Sequence, residues 1–277
     1  MTELDRRSLL VGSGLGMAAA ALAISSAPQA GAAVTAPGRS TIRIGKQLIN
    51  VVDLTHELTN DFNLTPGRPR IAMDPIVGSG YAVGMNLNRL MLVEHTGTHI
   101  DAPRHFDNNG KSLGEIPISD LVVPLALFDI SARVAANPDT ALMPDDVFAW
   151  EKKWGRLPAG CCVAINSGYD MIARVKAMQA GGPPADFHKS PGFGPEVCEM
   201  LITQRDVKGI AVDTGSIDRG SNSPAYPVHQ RWLRSGRWGI EFLTNMQDVP
   251  PSGAVLIAGA APIKDATGIP IRAIALF

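Results

Sequence analysis

The chemistry in this chain is concentrated in Glu94-His-Thr-Gly-Thr-His-Ile-Asp-Ala-Pro-Arg-His-Phe-Asp107. Three of the six histidines, His95, His99 and His105, fall there together with Asp101. Imidazole and carboxylate are the donors that hold Zn, Mn and Fe, and a neighbouring spare imidazole is the natural proton shuttle. A lone histidine is more often a satisfied core or surface residue. Four such groups at this spacing point to a metal site with a general acid/base beside it.

The elements that position these groups must bring them close. Leu90-Met-Leu-Val93 is a strand-like run, and on a continued strand residues 95, 97, 99 and 101 share one face. A flat strand would hold His95 and His99 roughly 13 Å apart, at about 3.3 Å per residue. The backbone must therefore bend, and Gly97 between them is the residue that tolerates a bend or bulge. A helical His-x-x-x-His pair would also converge, but Gly and two Thr in one turn disfavour helix. Pro103 ends regular pairing and passes the chain to a loop carrying His105.

His95-Thr-Gly-Thr-His-Ile-Asp-Ala-Pro-Arg-His-Phe106 resembles the signature of the cyclase-type metal-dependent hydrolases, the superfamily of kynurenine formamidases, isatin hydrolases and a dienelactone hydrolase. Weaker matches follow in the right order. Asp53-Leu-Thr-His-Glu-Leu58 is similar to the opening strand motif, Thr65-Pro-Gly67 to the turn after it, and Gly209–Asp218 to a late strand and loop. The resemblance implies His95, His99 and Asp101 as metal ligands, with Asp101 bridging when two ions are bound. It implies that His229 and Glu241 complete a second metal position or the outer part of the site, and that His105 is the proton donor and acceptor. It also implies a homodimer or higher homo-oligomer. Kynurenine formamidases often place a Trp before the Pro-Gly turn as a substrate contact, whereas this chain has Thr65, which argues against that substrate.

Strand candidates outnumber helices. They are 41–44, 48–54, 89–94, 122–130, 162–166, 209–213, 255–258 and 271–276, against helices over 144–153, 170–179 and 195–205. Pro195 suits a first helical position, with Glu196 in the first turn. The count predicts an α/β (α+β) domain around a sandwich-like or barrel-like sheet system rather than a doubly wound one. The swivelling β/β/α fold implied by the resemblance agrees. Two Gly/Pro-rich loops stand out: 181–194, read as a lid, and 219–227, read as a pocket wall before His229. His56 reads as a structural or pocket-edge residue and His188 as a surface one.

The first residues have a different character. Asp5-Arg-Arg-Ser-Leu-Leu10 resembles the twin-arginine export motif, with a mild apolar stretch over 11–24 and an Ala30-Gly-Ala32 cleavage site. The expectation is a signal peptide over 1–32, a single domain over 33–277 and a periplasmic address. The formal net charge of -1 favours neither nucleic acid nor an anionic membrane as partner. No apolar run after the leader reaches the roughly 18 residues of a membrane span. Three cysteines, Cys161, Cys162 and Cys198, do not make a disulfide framework and read as core residues.

A nitrogen and oxygen donor set without thiolate suits a divalent ion, Zn²⁺ or Mn²⁺, one or two per chain. The expected reaction is hydrolysis of an amide or ester carbonyl in a small molecule such as a flat cyclic amide, lactone or formamide. Tyr226, Trp232, Trp238 and Phe242 are candidates to hold a flat ring, or equally to pack the core. A non-catalytic metal- or solute-binding protein on the same scaffold would need the ligands but not His105.

Overall fold

The computed structural model describes residues 38–59, 71–76, 86–181, 186 and 188–277. The leader, the Thr65–Gly67 turn and residues 182–185 and 187 of the first loop lie outside them.

Ten strands form one sheet. Their order across it is Arg39–Ile44, Gln47–Asp53, Arg272–Leu276, Ala254–Gly259, Val122–Asp129, Cys162–Asn166, Gly209–Val212, Trp238–Glu241, His99–Asp101 and Gly268–Pro270. The run from Val122–Asp129 to Trp238–Glu241 is parallel, and the strands outside it pair antiparallel. Parallel strands covered on both faces read as unbroken apolar runs, and Cys162-Val-Ala-Ile165 is such a run.

Side-chain alternation divides the core in two. Ala126, Phe128, Val163, Ile165, Ile210 and Val212 point to a layer of helices, Pro144–Trp154, Pro195–Gln204 and Pro227–Arg234, which supply Val147, Trp150, Cys198, Leu201, Trp232 and Leu233. Val123, Leu125, Leu127, Ala164 and Ala211 point the other way and share a cluster with Val52, Ile100, Ile240 and Ala273. In a flat sheet the strands of Val52 and Ile100, second and ninth in the order, would lie roughly 34 Å apart at about 4.8 Å per strand. The sheet therefore curls onto itself. A Thr55–Leu243 bridge and the Thr244 N–H to Leu54 carbonyl bond at 3.0 Å fasten the two sides. The barrel-like expectation holds, with helices on the outer face.

The sequence misses the short elements. The predicted 89–94 strand stops at Met91, and pairing resumes only at His99–Asp101. Trp238–Glu241, Gly268–Pro270 and the helix Pro227–Arg234 were not expected. That helix was legible, with Pro227 at its first position and Val228, Trp232 and Leu233 buried along one face. The lid reading of 181–194 fails at its C-terminal end. Residues 190–194 are buried, and Gly192–Phe193 pairs with Ala141–Leu142 as a short parallel ladder. Trp232 and Trp238 are core residues rather than ring holders. Each is buried and donates its indole N–H to a backbone carbonyl, of Trp238 and Asp120 respectively. The three cysteines are buried, and burial pushes the Cys198 thiol well above its ordinary range, as befits core residues. No helix among the described residues is long and apolar enough to cross a membrane.

Candidate metal centre

The short strand His99–Asp101 puts Ile100 into the core and His99 and Asp101 on the opposite face. Its antiparallel register with Trp238–Glu241 sets Glu241 directly across from His99. Side chains of opposed residues lie on the same face of a sheet, so His99, Asp101 and Glu241 are assembled by register.

Gly97 makes the predicted bend, with φ +65°. The rings of His95 and His99 meet edge to face, with centroids 5.2 Å apart. Thr98, buried beneath the bend, donates to the Phe242 carbonyl at 2.5 Å and accepts from the His56 N–H at 2.9 Å. This clamps the histidine segment to the end of the Glu241 strand and ties the His56 backbone to it. A Gly97→Ala variant must adopt a left-handed conformation that costs about 1–2 kcal/mol for an L-residue. It is expected to lower stability by up to that amount in chemical denaturation, and to weaken metal binding to the extent that the bend relaxes instead and separates His95 from His99.

His229 comes from the first turn of Pro227–Arg234. That turn is capped by the remote Asp218, whose carboxylate accepts the Val228 and His229 N–H groups, each at 2.9 Å. The same carboxylate meets His229 Nδ1 at 2.7 Å. His229 Nε2 is left facing Glu241 Oε1 at 3.2 Å and Asp101 Oδ2 at 3.6 Å. His99 Nδ1 is held by the Gly97 carbonyl at 2.7 Å, which turns Nε2 to Asp101 Oδ1 at 3.4 Å and Glu241 Oε2 at 3.7 Å. His95 Nδ1 lies 2.6 Å from Asp101 Oδ1. His105, at the end of the short turn Pro103–His105, stacks on His95 at 3.8 Å and lies 6.1 Å from His229. All six predicted site residues, separated by up to 146 positions in the chain (241 − 95 = 146), are thus brought together. His188 is exposed, as expected.

The electrostatics ask for a cation. Burial alone would raise the Asp101 pKa, but the imidazoles of His229, His95 and His99 gathered around it outweigh this and hold the carboxyl well below its usual range. Burial alone would lower the His229 pKa, but Asp101, Asp218 and Glu241 raise it well above normal, and His99 is raised in the same way by Asp101 and Glu241. Asp101 Oδ2 is buried without a hydrogen-bond partner among the described residues. An orphaned carboxylate oxygen amid convergent imidazoles fits a divalent ion. Two groupings have donor atoms close enough to share one: His95, His99 and Asp101, and Asp101, His105 and His229.

Phe106 and Tyr226 lie over His229 at 4.9 and 5.7 Å, and Phe242 lies beside His99 at 6.3 Å. Tyr226 and Phe242 both adopt positive φ, +45° and +56°. Left-handed backbone in bulky residues costs about 1–3 kcal/mol and gathers at functional sites. Tyr226 brings the 219–227 loop into contact with His229 and Phe106. Sequence reasoning assigned no role to Phe106, Asp218 or Thr267. Phe106 is the last residue of the quoted motif and follows His105 directly.

A family model described as a putative cyclase matches residues 52–219, more than half of the chain. The isatin hydrolase of Roseibium aggregatum is 34% identical over 197 residues, 68% of this chain and 74% of that protein. The kynurenine formamidase of Bacillus anthracis is 35% identical over 225 residues, 80% of this chain and 95% of that protein. The structure of isatin hydrolase A from Labrenzia aggregata, bound to benzyl benzoate, superposes with a TM-score of 0.71 at 34% identity. It covers 82% of this chain and 93% of its own.

Proposed function

Because this chain belongs to the cyclase family and is a hydrolase of that metal-dependent group, we propose that it opens a small, flat cyclic amide of the isatin type, or a related lactone. The observation that carries this is the convergence of His99 and His229 on both Asp101 and Glu241, with Asp101 Oδ2 lacking a hydrogen-bond partner among the described residues. Beside it stands His105, and Phe106, Tyr226 and Phe242 border the cluster.

His95, His99, Asp101, His229 and Glu241 are the residues to hold one or two divalent ions, Zn²⁺ or Mn²⁺ by their donor types. Such an ion lowers the pKa of water to roughly 7 and polarises a carbonyl oxygen. The protein contributes the rest. Asp218 and the Gly97 carbonyl orient the His229 and His99 rings, and the aromatic wall packs a planar substrate and excludes water. Burial lowers the His105 pKa to about 4, so the imidazole is a neutral proton acceptor near pH 7. It takes the proton of the attacking water and returns it to the leaving nitrogen or oxygen.

Metal analysis combined with a kinetic panel of isatin, N-formylkynurenine and small lactones tests the substrate class. Isatin or a lactone is expected to be turned over and N-formylkynurenine to be poor, since Thr65 replaces an aromatic contact. A kcat/KM for N-formylkynurenine above about 10⁵ M⁻¹s⁻¹, well inside the ordinary enzyme range, would overturn this. The reading includes a homodimer or higher homo-oligomer, exported by the twin-arginine route. Mass spectrometry of protein from the native host is expected to find a mature chain starting near Ala33, and an intact Met1 start would refute export.

A further inference from the structure

We infer that Glu94 and Thr267 lock the proton of His95 onto Nε2 and thereby make Nδ1 its ion-binding nitrogen, opposite to His99 and His229. The inference rests on the reading that this cluster binds a divalent ion, and it concerns two residues to which that reading gives no role.

His95 is contacted at both ring nitrogens. Nδ1 lies 2.6 Å from Asp101 Oδ1, and Nε2 lies 3.0 Å from the Thr267 hydroxyl oxygen. A threonine hydroxyl has one proton to give. Thr267 gives it to Glu94 Oε2 in a very short hydrogen bond, and its backbone N–H donates to the same oxygen at 3.1 Å. The hydroxyl oxygen can then only accept from His95, so Nε2 must carry the ring proton. A neutral imidazole protonated at Nε2 has a bare lone pair at Nδ1. That lone pair faces Asp101 Oδ1 at 2.6 Å, itself an acceptor, so a positive charge must lie between them: a divalent ion when one is bound, a second ring proton when none is.

The other two histidines are set the opposite way. Nδ1 of His99 meets the Gly97 carbonyl and Nδ1 of His229 meets the Asp218 carboxylate, both at 2.7 Å and both able only to accept. Those rings carry their proton on Nδ1 and turn Nε2 inward. Outer partners of this kind fix which nitrogen of a histidine binds metal. The residue after Thr267 holds the ring in place. A Cβ at Gly268 would lie 2.7 Å from His95 Cε1 and 3.0 Å from Nδ1, so only glycine lets the backbone approach the ring this closely. Thr267 and the strand Gly268–Pro270 that follows it therefore supply the proton acceptor and the surface that position His95.

The test uses the full chain labelled with ¹⁵N at histidine and titrated with Zn²⁺, read by long-range ¹H–¹⁵N correlation. The expected result is a coordination shift on Nδ1 of His95 with its Nε2 proton retained, and the reverse for His99. Zinc on Nε2 of His95 overturns the inference and leaves the metal reading standing. No shift on any histidine overturns the metal reading and the inference with it. Thr267→Val removes the acceptor at constant shape and is expected to weaken zinc binding roughly 10- to 100-fold in calorimetry and to mix the His95 coordination. Thr267→Ser is expected to restore both. Wild-type affinity and unchanged Nδ1 coordination in Thr267→Val would show that the pair does not set the ring.

Discussion

Replacing Asp101 by alanine is expected to remove metal and activity together. Asp101 is buried and touches more of the cluster than any other residue: Oδ1 faces His95 and His99, and Oδ2 faces His229. Its carboxyl is held well below its usual range by those three imidazoles, so it is the anion around which the site is charged. Without it, Glu241 is the remaining carboxylate to face His99 and His229. Metal affinity depends on deprotonated ligands already in place, and the variant lacks the ligand common to both candidate groupings. Plasma mass spectrometry of the purified variant is expected to find no metal, and turnover to fall to the uncatalysed background. Wild-type metal content would show that the ion sits elsewhere and would remove Asp101 from the site.

His105→Ala is expected to keep the metal and still lose most of the rate. The ring stacks on His95 and edges Phe106. It makes none of the ion pairs with Asp101 and Glu241 that join the other imidazoles. General acid–base catalysis contributes typically about 10²–10⁴ in rate, and the variant is expected to lose that factor in kcat. Its metal content is expected to match the wild type. Wild-type kcat would show that another group moves the proton. Loss of metal would make His105 a ligand, through the grouping it forms with Asp101 and His229. Set beside Asp101→Ala, the two variants separate holding the ion from moving the proton.

The chemistry of this protein was legible in its sequence because one short segment carries most of it. His95, His99, Asp101 and His105 are near neighbours in the chain, and their types restrict what they can bind. The bend at Gly97 followed from geometry alone, since a straight strand would hold the first two apart. The long apolar strands and the helices at Pro144 and Pro195 followed from periodicity and from proline at the first helical position. The short elements did not, because strands of three or four residues such as His99–Asp101 and Gly268–Pro270 carry too little periodicity to register. His229 and Glu241 entered through family resemblance, and nothing local marks them as ligands. They reach the site because Trp238–Glu241 pairs in register with His99–Asp101, and because Asp218 caps a helix ten residues downstream. Trp232 and Trp238 look no different from Tyr226 and Phe242 in one dimension. Only the packing shows that Tyr226 and Phe242, the latter also buried in the core, come beside the histidines. Donor types are a property of residues and can be read from the chain. The partner on the far side of His99 is local, the Gly97 carbonyl, but that of His95 is set by strand pairing between segments as distant as Glu94 and Thr267 and therefore exists only in the tertiary structure.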